Sequence, residues 1–150
     1  MPLPDGAIIT DMTVAHRISE HFDRPTAPGV VSVYLFGSQA EARAHQESDL
    51  DLGLLFDREV HRTRKDRFDV ALRIAADLRA DLGIDAIDLV VLNDAPPLLG
   101  RRVVTEGQRL VCRNSEADHA YVRDVQLRAA DLLPFLERMR RIKLEALAPR

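Results

Sequence analysis

Residues 30–56, VVSVYLFGSQAEARAHQESDLDLGLLF, constrain this chain more than any other stretch. Val30 to Phe36 is apolar at nearly every position, the pattern of a strand buried on both faces and therefore central in its sheet. A Gly37-Ser38 turn and a short polar segment follow, and a second apolar strand then carries Asp49 and Asp51. Side chains alternate along a strand, so the two aspartates share one face while Leu50 and Leu52 take the other, into a core. Charge at the edge of a core is costly unless it is paired, protonated or bound to a metal, so the two carboxylates ask for a cation.

The rest of the chain supplies the frame. Thr10 or Asp11 is placed to cap a helix carrying Val14, Ile18 and Phe22, with Arg17 and Glu20 toward water. Pro25, Pro28 and Gly29 mark the loop that delivers the first strand. Thr63, with Asp66 three residues on, resembles a capping box opening a long helix, whose stripe of Phe68, Leu72, Ala75, Leu78 and Leu82 ends at Gly83. Residues 85–92 (DAIDLVVL) form the third strand, after which Asp94 is placed to cap a helix with proline in its first turn. Glu106-Gly107 turns into a short strand over residues 108–112, and residues 116–150 read as helix, with Pro134 kinking it or opening a second one. In that tail Leu132, Phe135, Leu136, Met139 and Ile142 form an apolar stripe, expected to pack on the domain, with a partner surface as the alternative; Arg138, Arg140, Arg141 and Lys143 form a basic side. Alternating strands and helices predict an α/β layer with a helical tail: a domain over residues 1–115 and an extension over 116–150, packed on the domain or on a partner.

Length and composition narrow the functional classes. A chain of 150 residues suits one domain, and 46% apolar with 30% charged residues is the composition of a globular protein. The net charge of -3 argues against bulk nucleic-acid binding, whose footprint is a strongly basic surface. No apolar run approaches the length of a membrane span or signal segment, and the lone Cys112 cannot form an internal disulfide, so the cytoplasm is the expected compartment. Cys112 reads as a buried small hydrophobe, Asp57 and Asp85 as turn residues, and the five histidines as surface groups without metal-ligand spacing. Ser38 has no histidine base at motif spacing, which argues against a hydrolase nucleophile.

Asp88 is a further carboxylate in an apolar strand. If the third strand lies beside the second, Asp88 joins Asp49 and Asp51. Clustered carboxylates repel unless divalent cations neutralise them, and oxygen ligands select hard ions such as Mg²⁺. Two such ions about 3.5–4 Å apart clamp the attacking and leaving oxygens in phosphoryl or nucleotidyl transfer. Gly37 lets backbone approach a phosphate, Ser38 offers a hydroxyl, and the N–H groups that follow favour an anion.

With Gly-Ser followed, after ten intervening residues, by Asp-x-Asp, GSQAEARAHQESDLDL resembles the signature of the DNA polymerase β-like nucleotidyltransferase superfamily, most closely its minimal MNT-type branch. IDLVVLNDAPPLLGRRVVTEGQRLV is similar to the matching later region, so the resemblance covers residues 30–111. It implies a mixed sheet with flanking helices, Gly37 and Ser38 at the nucleotide triphosphate, and Asp49, Asp51 and Asp88 as metal-binding and catalytic carboxylates, with Asp88 helping to deprotonate the acceptor. It also implies ATP as substrate, Mg²⁺ as cofactor, and a partner: such proteins serve as antitoxins of HEPN-domain toxin ribonucleases, some by transferring AMP to a toxin tyrosine. Ala40-Glu41-Ala42 departs from the Ala-Arg-Gly that the family often has there, placing an acid where a base would face the phosphates. Two other readings stand beside an active protein adenylyltransferase: an antitoxin that neutralises by docking alone, and a nucleotidyltransferase acting on a small molecule such as an antibiotic.

Overall fold

Strand β1 (Val30–Phe36) is the spine of a four-stranded sheet, buried along all but its last residue. The structure, a computed structural model, describes residues 11–25, 27–37 and 50–148. Its order is helix α1 (Asp11–Asp23), β1, β2 (Leu50–Phe56), α2 (Arg64–Leu82), β3 (Ile87–Val91), a 3-10 turn (Leu92–Asp94), α3 (Pro97–Glu106), β4 (Gln108–Cys112) and α4 (Ser115–Leu147). The sheet runs β3-β2-β1-β4, with β1 antiparallel to both β2 and β4 and β2 parallel to β3. A parallel neighbour requires a crossover, and α2 provides it. This is the mixed sheet with flanking helices expected for the nucleotidyltransferase fold, and the strand buried on both faces is central, as its continuous apolar run predicts.

The sheet is covered on both sides. On one face Ile18 and Phe22 of α1 and Ile74 and Leu78 of α2 pack on Val33, Leu35, Leu52 and Leu54. On the other, Val103 of α3 and Tyr121 of α4 pack with Val31, Tyr34, Leu55 and Leu92. Among the described residues no helix is long and apolar enough to cross a membrane.

Helix α2 starts as its sequence predicts: the Thr63 side chain accepts from the Asp66 N–H, and Gly83 closes the helix in the left-handed region at φ +68°. Its buried face differs from the expected one. Phe68 and Leu72 are 58% and 55% exposed, whereas Arg67, Ala71, Ile74, Ala75, Leu78 and Leu82 are buried. The helix is turned by Arg67, whose guanidinium donates to both carboxylate oxygens of Asp94, at 2.9 and 2.8 Å, and to the His61 carbonyl at 2.9 Å. A buried, fully paired arginine takes the place that Phe68 was expected to fill. Asp94 is accordingly no helix cap: α3 begins after Pro96 without a side-chain cap. The third strand is also shorter than residues 85–92, because the chain turns into a 3-10 turn at Leu92.

Two further corrections concern polar and tail residues. His21 is buried rather than at the surface, with Nδ1 2.9 Å from Asp81 Oδ2, a contact that ties α1 to α2. Helix α4 is capped by Asn114, continues through Pro134 and buries only Asp118, Val125 and Ala129. Leu132, Phe135, Leu136, Met139 and Ile142 are exposed instead of packed on the domain, since the helix carries them past the last residue that meets the sheet. Cys112 is half-buried.

Candidate functional site

Three local rules bring the described site residues together. Phe36, the last residue of β1, is in register with Asp51 on β2, and Asp51 is in register with Asp88 on β3. Paired residues on adjacent strands project from the same face, and the strands are about 4.8 Å apart. Asp51 and Asp88 therefore stand side by side at the start of their parallel strands, on the face covered by α3 and α4. Leu50 and Leu52, on the opposite face, are fully buried in the core. Asp51 is half-buried and Asp88 is exposed.

Gly37 completes the described part of the site. It leaves β1 with φ +77°, a conformation that glycine adopts without cost, and a Cβ there would collide with Asp51 Oδ2. The turn after β1 thus runs against a carboxylate with no side chain between them. Ser38, Glu41 and Asp49 lie outside the described residues.

Asp51 and Asp88 supply the hard oxygen donors that a magnesium ion takes, from two rigid strands at adjacent positions, so the donor set fits that ion. Side by side without a cation, the two carboxylates would repel each other. At Gly37 the backbone itself comes up against the Asp51 carboxylate. Together these features suit the binding of a metal with a phosphate-bearing substrate.

Groups that the sequence did not single out hold the strand ends in place. Tyr34, two residues before Phe36, donates to Asp118 Oδ1 at 2.8 Å, and Arg109 donates to Asp118 Oδ2 at 2.8 Å. Burial, reinforced by the hydrogen bond to Asp118, pushes the Tyr34 phenol well above its ordinary range, so it remains a donor. Tyr121 donates to the Leu92 carbonyl at 3.2 Å, and burial pushes its phenol up to about 12. Beyond β3, Arg67 holds the Asp94 carboxyl below the usual carboxylate range through their hydrogen bonds. The available signals were an arginine within the apolar face of α2 and a tyrosine within an otherwise apolar strand; neither reveals its partner, which lies 27 residues away for Arg67 and 84 for Tyr34.

Residues 17–116 match the family model described as Polymerase beta, Nucleotidyltransferase. The protein adenylyltransferase MntA of Shewanella oneidensis is 32% identical over 87 residues, 58% of this chain and 58% of that protein. The aligned part thus spans less than two thirds of that relative. A crystal structure of a toxin-antitoxin with AMP-PNP superposes with a TM-score of 0.59 at 23% identity, over 89% of this chain and 97% of that one. A structure of a tri-AMPylated Shewanella oneidensis HEPN toxin in complex with MNT antitoxin gives a TM-score of 0.50 at 20% identity, over 93% and 96%. At these identities the structural likeness is one of fold.

Proposed function

Because the chain belongs to the polymerase beta nucleotidyltransferase family, we propose that it is a Mg²⁺-dependent protein adenylyltransferase. In this reading it neutralises a HEPN toxin in the cytoplasm by transferring AMP from ATP to a toxin tyrosine, within a complex of the two proteins. The observation that carries the reading is the in-register pair Asp51 and Asp88 beside the left-handed Gly37, in a chain with an adenylyltransferase relative.

Asp49, Asp51 and Asp88 would hold the metal, probed most simply through Asp51 and Asp88, and Gly37-Ser38 would lie along the triphosphate. Bound there, Mg²⁺ supplies positive charge to the phosphate oxygens and fixes their orientation. The tyrosine oxygen bonds to the α-phosphorus as the bond from that phosphorus to the pyrophosphate oxygen breaks, and pyrophosphate leaves. Asp88, the exposed member of the pair, takes the hydroxyl proton.

Purified chain mixed with a cognate HEPN toxin, ATP and Mg²⁺ tests this by mass spectrometry of the toxin. The expected result is a gain of one or more AMP units, abolished by chelation, lost in Asp49→Asn/Asp51→Asn and reduced about 10²–10⁴-fold in Asp88→Asn. An unmodified toxin, or equal modification by the double variant, overturns the reading. Neutralisation by the double variant at wild-type strength identifies docking alone as the mechanism.

A further inference from the structure

Strand β3 is an edge of the sheet, and its outward side is open where it approaches Asp88. The Leu50 N–H donates to the Ala86 carbonyl at 2.9 Å, which fixes the phase of the β2–β3 ladder. Residues 86, 88 and 90 turn their backbone groups toward β2, so Ile87, Leu89 and Val91 turn theirs outward. Arg79 confirms the phase by donating to the Ile87 carbonyl at 3.0 Å, and it closes off the start of the edge. Beyond it, the N–H and C=O of Leu89 have no hydrogen-bond partner among the described residues.

This edge forms the floor of a groove of about 400 Å³. Phe68 and Leu72 of α2 line one side of it, Pro96 before α3 and Leu99 within α3 line it as well, and Asp88 lies within it. The exposure of Phe68 and Leu72, unexplained by the chain's own packing, provides apolar surface for a visiting side chain. Arg64 and Arg79 also line the groove; Arg64 acts on the Asp94 carboxylate through space and Arg79 donates to the Asp85 and Ile87 carbonyls, and neither is in a direct salt bridge among the described residues.

We propose that this groove receives an extended segment of the acceptor protein, about five residues long and carrying an acidic side chain, which adds to β3 as a further strand and presents its hydroxyl to Asp88. The proposal rests on the protein-acceptor reading above. Main-chain pairing with Leu89 supplies the affinity, and the Phe68 and Leu72 wall and the two arginines supply the selection. Asp88 belongs to both the groove and the candidate site, so whatever occupies the groove is placed next to the reacting centre. Antiparallel pairing of two β3 edges about Leu89 would set Asp88 opposite Val90 of the other copy, and dependence on chain concentration separates that occupant from the acceptor.

The test uses the full chain and, as probe, the cognate HEPN toxin that the proposed function requires. Without ATP, calorimetry should show binding that weakens at least tenfold in Phe68→Glu and in Leu72→Glu, both surface changes that leave Tm in place. Leu89→Pro removes an outward N–H at an edge position that tolerates proline, together with a side chain packed against the core, and where its circular dichroism matches the parent chain it should weaken binding equally. Amide exchange at Leu89, fast in the free chain, should slow at least tenfold in the complex. Unchanged binding by both glutamate variants together with unchanged exchange at Leu89 overturns the proposal. Transfer at wild-type level by those variants also overturns it and leaves the adenylyltransferase reading standing. Binding through this edge without AMP transfer has the opposite meaning, and no binding at all removes both. Protection of Leu89 that depends on chain concentration assigns the groove to a second copy, and protection lost on deleting residues 1–10 assigns it to the chain's own segment; either result overturns the proposal.

Discussion

Gly37 joins two demands at one atom. Its φ of +77° disfavours any side chain, and the space a Cβ would take is held by an Asp51 carboxylate oxygen. Gly37→Ala therefore costs about 1–2 kcal/mol for the left-handed backbone alone, and it displaces Asp51 as well. The expected outcome is a small fall in Tm with a loss of AMP transfer of tenfold or more. Gly83→Ala is the control: it too has positive φ, but nothing lies within 4 Å of the new Cβ. That variant should lose comparable stability and keep full transfer activity; equal activity losses in the two would show that only backbone strain matters at Gly37.

At the scale of elements, the Arg67–Asp94 pair fixes the rotation of α2 and the exit of β3 together. Asp94→Ala leaves a buried guanidinium without its partner and should cost about 3 kcal/mol in denaturant unfolding. The pair also sets a pH dependence. Arg67 lowers the folded-state pKa of Asp94, so its contribution is fully present above the ordinary carboxylate value of about 3.9 and is lost as pH falls through the lowered folded value. Unfolding curves from pH 5 downward should therefore be flatter in Asp94→Asn than in the parent chain. Helix α4 is fastened differently, by the buried Tyr34–Asp118 hydrogen bond. Tyr34→Phe removes the donor and leaves Asp118 paired with Arg109 alone, at a cost of about 1–3 kcal/mol measured by thermal unfolding.

Over the whole molecule, the legible features were those that a short window contains. The apolar run of β1, the Thr63 cap, the Gly83 stop and the period-two placement of Asp51 against Leu50 and Leu52 are local, and the elements formed accordingly. The register that sets Asp51 beside Asp88 depends on the crossover over residues 57–86, and only its possibility could be read in advance. The face of α2 was misread because Phe68 and Leu72 look like core, while the true face is anchored by a charge whose partner lies beyond the next strand. The stripe on α4 was misread for a related reason: periodicity reports an apolar face but not how far the sheet extends beneath it. Since α4 buries nothing after Ala129, a chain ended after Leu133 should unfold within about 1 kcal/mol of the full chain by denaturant titration.

The unburied end of α4 also has a hydrodynamic consequence. At about 1.5 Å per residue, the 18 residues from 130 to 147 amount to about 27 Å of helix carried outside the core. A domain with such a spar tumbles anisotropically and scatters with a maximum dimension well beyond that of a sphere of its mass. The anisotropy would disappear once a partner lay along the spar, so rotational diffusion reports occupancy of this helix without requiring any catalytic step.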